Sequence, residues 1–173
     1  MYEEIKQAIR DVPDFPKPGI LFKDITTALK DKRCFRLIVD AFYDILKNEQ
    51  IDKIAAIESR GYLIGAPLAY KLGCGLVLLR KPGKLPAATI KEYYNLEYGS
   101  AALEVHQDAV KPGEKVLIID DLLATGGTAE AACKLVKRLG GTITATAFLI
   151  ELAELNGAEK LRPYAKTISL LKY

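Results

Sequence analysis

The run Asp120-Asp121-Leu122-Leu123-Ala124-Thr125-Gly126-Gly127-Thr128 concentrates more chemistry than any other part of this chain. It follows the apolar stretch Val116–Ile119, so a buried strand ends in two carboxylates and opens through a glycine turn into a helix. In open α/β sheets a ligand sits beyond the carboxyl ends of the strands, and the next helix offers N–H groups and a positive dipole end to a phosphate. Gly126 and Gly127 let the main chain approach that phosphate closely, while Thr125 and Thr128 add hydroxyl donors. The acids narrow the choice of compound. They repel a bare phosphate but accept hydrogen bonds from vicinal sugar hydroxyls and tolerate a divalent cation, which describes a ribose phosphate. Neighbours on a straight strand face opposite ways, so the chain is expected to turn at Asp120 and Asp121 for both to reach one ligand.

Other chemistries find less support. No G-x-x-x-x-G-K-[ST] loop occurs, because Gly83-Lys84 is followed by Leu85, and no G-x-G-x-x-G fingerprint is present. Ser59 lacks a nucleophile's partners: His106 is the only histidine and reads as a solvated residue in a helix with Glu104 and Gln107. Tyr93, Tyr94 and Tyr98 share their segment with Glu92 and Glu97, which argues against stacking on single-stranded nucleic acid. Cys34, Cys74 and Cys133 are widely spaced and odd in number, so neither a disulfide framework nor a zinc site is expected, and no dedicated metal cage is evident.

The elements that must position these residues follow from periodicity. Residues 3–12 read as a short amphipathic helix, after which Pro13, Pro16, Pro18 and Gly19 impose an extended, turned segment. From Asp31 to near Asn48, Phe35, Ile38, Val39, Phe42, Ile45 and Leu46 recur at helical spacing. Strand-like runs at 53–57, 76–79, 115–120, 142–150 and 167–171 alternate with helical patterns at 62–72 and 128–139. That alternation predicts an α/β fold, a mostly parallel sheet flanked by helices. Residues 81–99 break the pattern and read as a long lid or binding loop.

Composition sets the outer bounds. The 173 residues fit one domain, and 50% apolar content is enough for a core without disulfides or metal. A net charge of +3, from 25 basic and 22 acidic residues, is too small and too evenly spread for a nucleic-acid surface. The first residues are charged and no run approaches the roughly 20 apolar residues of a membrane span, so the cytoplasm is the expected setting.

The 116–128 segment resembles the signature of type I phosphoribosyltransferases, which bind phosphoribosyl pyrophosphate. Three more stretches narrow the likeness to the adenine phosphoribosyltransferase family: Phe15–Ile25, Glu58-Ser59-Arg60-Gly61, and Arg80–Pro86 with Leu96-Glu97-Tyr98-Gly99. The resemblance runs nearly end to end. It implies an N-terminal hood over residues 1–30 that holds the base, and a mobile catalytic loop over 81–101. Phe22 and Leu122 would sandwich adenine, and the main chain around Leu21 and Lys23 would read its edge. Many relatives carry Arg at the position of Lys23, a change that is harmless if the contact is through the backbone.

By the same resemblance, Asp120 and Asp121 would hold the ribose hydroxyls, and Ala124, Thr125, Gly126, Gly127 and Thr128 the 5′-phosphate. Ser59, Arg60, Arg80 and Lys84 would serve the pyrophosphate, with Arg80 reaching in from a second subunit of a homodimer. Glu97 would handle the proton that adenine sheds, and Arg60 would join it in catalysis. The expected reaction is purine salvage: adenine and phosphoribosyl pyrophosphate give AMP and pyrophosphate, with Mg²⁺ carried by the substrate and no partner nucleic acid or membrane. Two other readings are a phosphoribosyltransferase for hypoxanthine or xanthine, and a non-catalytic regulator that senses the ribose phosphate. The regulator is disfavoured because no helix-turn-helix or basic patch accompanies the fold.

Overall fold

The computed structural model describes residues 1–95 and 100–173. Five parallel strands form the central sheet: β3 (Lys53–Ile57), β4 (Gly75–Leu79), β7 (Lys115–Leu123), β8 (Thr142–Glu151) and β9 (Lys166–Lys172), in the order β4-β3-β7-β8-β9. Helices cover both faces, as the alternating pattern predicts. Successive residues of β7 explain why: Leu117 and Ile119 enter one core with Ile38, Phe42, Ile64 and Leu68, whereas Val116 and Ile118 enter a second core with Ala132, Leu135 and Val136. A strand segment buried on both faces has to be apolar throughout, and this one is from Val116 to Ile119.

The first core is closed by α3 (Lys32–Leu46) and α4 (Arg60–Leu72). Asp31 caps α3, its carboxylate accepting from the N–H groups of Arg33 and Cys34. The second core is closed by α5 (Gly127–Arg138) and α6 (Gly157–Leu161).

The N-terminal segment differs from the predicted helix over 3–12. Helix α1 (Tyr2–Ala8) stops early, and β1 (Arg10–Pro13) pairs antiparallel with β2 (Leu21–Asp24) in a two-stranded ribbon. The pairing of Val12 with Phe22 outweighs the helical spacing of residues 9–12, and Pro13 is tolerated because the ribbon has open edges. Helix α2 (Thr26–Lys30) then leads into α3.

The expected long loop over 81–99 is also corrected. Residues 81–88 are irregular, but β5 (Thr89–Asn95) pairs antiparallel with β6 (Ser100–His106). His106 therefore ends a strand and does not lie in a helix. The ribbon rests on α5, where the Arg138 guanidinium donates to the Lys91 carbonyl at 2.7 Å and meets the Glu92 carboxylate at 3.2 Å. Residues 96–99, and with them Glu97, lie outside the described residues.

Candidate active site

The chain leaves β3 toward β4 on one side of the sheet and leaves β7 toward β8 on the other. The carboxyl ends of β3 and β7 thus flank the point where strand order reverses, which is where open α/β sheets bind ligands. A cavity of about 440 Å³ opens there. Its walls are Glu58, Ser59 and Arg60 from the end of β3 and the start of α4, Asp120–Leu123 from β7, Ala124–Ala129 from the turn and α5, and Lys81 and Tyr94 from the other side.

The acids do not need the turn expected of them. Strand β7 runs on to Leu123, held by pairing with β8 as far as Glu151. On its other side β7 loses its neighbour after Ile119, because β3 ends and turns into α4. This leaves a notch that both acids border. The Asp121 carboxylate is buried and pairs with Arg60 Nε at 2.6 Å. Asp120 Oδ1 accepts the Asp121 N–H at 2.8 Å, and burial, followed by the Asp121 charge, pushes its carboxyl well above the usual carboxylate range.

Gly61 makes the close approach of α4 to β7 possible. A Cβ there would lie 2.9 Å from the Ile119 carbonyl oxygen and 3.1 Å from Asp120 Oδ1. Gly126 occupies a left-handed conformation with φ of 82° and caps α5 without a side chain, so no capping group competes for the first N–H donors of that helix.

Arg80, which the resemblance has reaching in from a second subunit, is held with Lys84 by Glu58 at the rim of its own chain's cavity. Arg80 Nε lies 3.2 Å from the Glu58 carboxylate, and Lys84 Nζ pairs with its other oxygen. Lys81 lines the cavity itself, as does Tyr94. Glu58 and Lys81 lie in stretches that carry the family resemblance, but no role attaches to either from it. Ser59 and His106 are far apart in role: His106 lines a different, largely apolar cavity with Leu76, Val77, Leu78 and Leu85.

A further cavity of about 380 Å³ is lined by Val12, Phe15, Phe22, Asp24, Thr26 and Arg60. Phe22 meets Phe15 edge to face at 5.1 Å, and the Arg60 guanidinium stands 5.4 Å from the Phe22 ring centre. Phe22 and Leu122 therefore line different cavities, and Arg60 belongs to both. Leu21 is exposed on β2. The Lys23 side chain points elsewhere, its Nζ 2.7 Å from Asp11 Oδ1 and 4.1 Å from the Tyr173 ring centre. Because β2 is paired on one side only, alternate main-chain groups along it remain open to a ligand.

Among the described residues no three His, Cys, Asp or Glu side chains cluster to hold a metal, and no helix is long and apolar enough to cross a membrane.

Residues 26–172 match the phosphoribosyl transferase domain family. The chain is 55% identical over 173 residues, all of both chains, to an adenine phosphoribosyltransferase of Anaeromyxobacter dehalogenans. It superimposes with a TM-score of 0.97 on the adenine phosphoribosyltransferase of Thermoanaerobacter pseudethanolicus, 54% identical and covered completely in both chains. It superimposes at 0.93 on the Saccharomyces cerevisiae enzyme complexed with adenine and an imino-altritol bisphosphate, 40% identical with 98% of each chain covered.

Proposed function

Because the chain belongs to the phosphoribosyl transferase family and groups with its adenine phosphoribosyltransferases, we propose that the cleft between β3 and β7 joins adenine to phosphoribosyl pyrophosphate. The products are AMP and pyrophosphate, a purine-salvage reaction. One observation carries this reading: a paired-acid strand end, a glycine-capped helix start and the Ser59-Arg60 corner line one cavity, and Arg60 also walls an aromatic pocket beside it.

Each residue then has a role its chemistry suits. The start of α5, from Ala124 to Thr128, takes the 5′-phosphate through main-chain N–H groups and hydroxyls. Asp120 and Asp121 accept from the ribose hydroxyls, with Asp121 also fixing Arg60. Ser59, Arg60 and Lys81 face the pyrophosphate, with Arg80 and Lys84 at its rim. Phe22 stacks on adenine from the hood, Leu122 closes it from the β7 side, and the β2 main chain at Leu21 and Lys23 reads the purine edge.

Departure of pyrophosphate leaves positive charge on the sugar ring, so the chain acts chiefly by positioning and electrostatics. Asp120 and Asp121 line the cavity and would supply the one or two carboxylates that magnesium takes together with substrate phosphates. When bound, the ion neutralises charge on the departing pyrophosphate. Glu97 keeps its role in moving the adenine proton on the strength of the resemblance.

A homodimer fits the exposed Leu76 and Leu78 on edge strand β4, with Leu63 and Tyr70 exposed on neighbouring α4. Sedimentation equilibrium measures it, and a monomer that stays active at low concentration overturns it. The cytoplasm remains the setting we assign.

The deciding experiment is a base panel. Radiolabelled adenine, hypoxanthine, guanine and xanthine are each incubated with phosphoribosyl pyrophosphate and Mg²⁺. Adenine alone should be converted efficiently, and equal use of hypoxanthine would end the adenine reading while leaving phosphoribosyl transfer intact. Formation of no nucleotide with any base would end both.

A further inference from the structure

The cations at the rim of the cavity are already occupied by an anion that belongs to the protein. The Glu58 side chain is only 7% exposed, and it draws together three donors: Arg80 Nε at 3.2 Å, the Lys81 N–H at 3.0 Å and Lys84 Nζ. The segment carrying them is braced from behind. Arg80 and Glu104 exchange main-chain hydrogen bonds at 2.9 and 2.7 Å, the buried Glu104 carboxylate accepts the Gly83 N–H at 3.0 Å, and Arg80 Nη1 donates to the Lys84 carbonyl at 3.1 Å. Glu58 itself is fixed by its N–H on the Leu79 carbonyl at 2.9 Å. Glu58 lines the ligand cavity, and Glu104 does not.

A carboxylate surrounded by two cations and a main-chain N–H has the donor environment that a phosphate oxygen requires. A pyrophosphate that engages Arg80 and Lys84 through the donors they now give Glu58 competes with it for them, and a buried carboxylate deprived of its partners is costly. The affinity for the leaving group is therefore a difference between two anions' claims on the same donors. Such an arrangement limits how firmly the product can be held, which favours its release.

We propose that Glu58 is a positioning residue that sets how tightly pyrophosphate is held, by competing with it for Arg80 and Lys84. This rests on the reading of the cavity as a pyrophosphate site. It gives Glu58 a task distinct from binding substrate: it gathers the cations in the free protein and takes them back as pyrophosphate leaves.

The test uses inorganic pyrophosphate with Mg²⁺ on the full chain, by calorimetric titration and by product inhibition. Glu58→Gln keeps the side-chain shape and an acceptor for the Lys81 N–H while removing the competing charge. It should bind pyrophosphate roughly tenfold more tightly than the unaltered protein, with the adenine KM unchanged. In the Lys84→Met background the same substitution should gain less, because one of the contested cations is gone. Glu58→Asp, which retains the charge but withdraws it from the cations, should show a smaller gain and serves if the Gln variant does not fold. Weaker or equal pyrophosphate binding by the Glu58 variants overturns the proposal alone. Absence of pyrophosphate binding by the unaltered protein overturns the cavity reading and this proposal with it.

Discussion

Gly126 and Gly157 pack main chain against main chain: a Cβ on Gly126 would lie 2.6 Å from the Gly157 carbonyl oxygen, and a Cβ on Gly157 would collide with the Ala124 carbonyl. The turn at the start of α5 is thus seated on the start of α6, with no room for a side chain at either position. Gly157→Ala should push the turn out of place, raising the KM for phosphoribosyl pyrophosphate roughly tenfold while leaving the adenine KM nearly unchanged. Overpacking of this kind costs about 1–3 kcal/mol, so a lower melting temperature should accompany it. Unaltered kinetics would show that the seat does not position the phosphate loop.

Asp120 and Asp121 border the cavity beyond the end of β3 and belong to neither apolar core, so amide replacements should spare the fold and damage ligand use. Each of Asp120→Asn and Asp121→Asn should lower kcat/KM for phosphoribosyl pyrophosphate by about 10-fold to 100-fold, the range of a charge-assisted hydrogen bond. Asp121→Asn should do more harm, because Arg60 loses the carboxylate that now holds it at 2.6 Å. Initial-rate kinetics on both variants, with circular dichroism as the fold control, decide the matter.

Burial, followed by the neighbouring Asp121 charge, raises the Asp120 carboxyl well above its usual range. If the ionised pair is what receives the ribose hydroxyls, kcat/KM for phosphoribosyl pyrophosphate should fall on the acid side at a pH higher than an ordinary carboxylate would give. The limb belongs to the coupled pair, and Asp120→Asn should flatten it. The stability contribution runs the opposite way: it is fully present below the unfolded pKa and lost as pH rises through the raised folded value. An unchanged acid limb in Asp120→Asn assigns the titration to another group.

Asp24 provides the opposite sign. A hydrogen bond from Arg10, reinforced by Thr26, lowers its pKa from 3.8 to about 2. The stability it contributes is therefore present above the unfolded value and lost as pH falls from near 4 toward 2. Asp24→Asn should reduce the acid sensitivity of the β1–β2 ribbon, read by hydrogen exchange at its amides between those pH values.

Phe22 offers ring area that no main-chain contact replaces. Phe22→Ala should raise the adenine KM roughly tenfold, the scale of one base–aromatic stack, while phosphoribosyl pyrophosphate binding holds. Wild-type adenine kinetics in that variant would place the base elsewhere.

The parts legible in the sequence were those where local pattern and tertiary role agree. Phe35, Ile38, Val39, Phe42 and Leu46 recur at helical spacing and lie on α3, and Val116–Ile119 is apolar throughout because both sheet faces are covered. Legibility failed where a distant partner decides. Residues 10–12 and 104–106 read as helical, and only their pairing with Phe22–Asp24 and Thr89–Lys91 makes them strands. The straight run through Asp120 and Asp121 was hidden for a related reason: both acids reach the notch because β3 ends before them, a fact about another strand. Glu58 was invisible as a clamp since its three donors lie more than 20 residues away. The positions flanking Gly126 were readable because a left-handed turn leaves a compositional mark.

Arg60 forms part of the wall of both cavities, with its Nε on Asp121 and its guanidinium over Phe22. A side chain so shared makes the two compartments thermodynamically linked: a ligand that fixes Arg60 from one side spares the other the entropy of ordering it. The favour must be mutual, since whatever factor the sugar phosphate adds to the affinity for the base, the base returns to the sugar phosphate. A cleft built from two modest pockets can in this way hold a complete pair of reactants more firmly than either one alone.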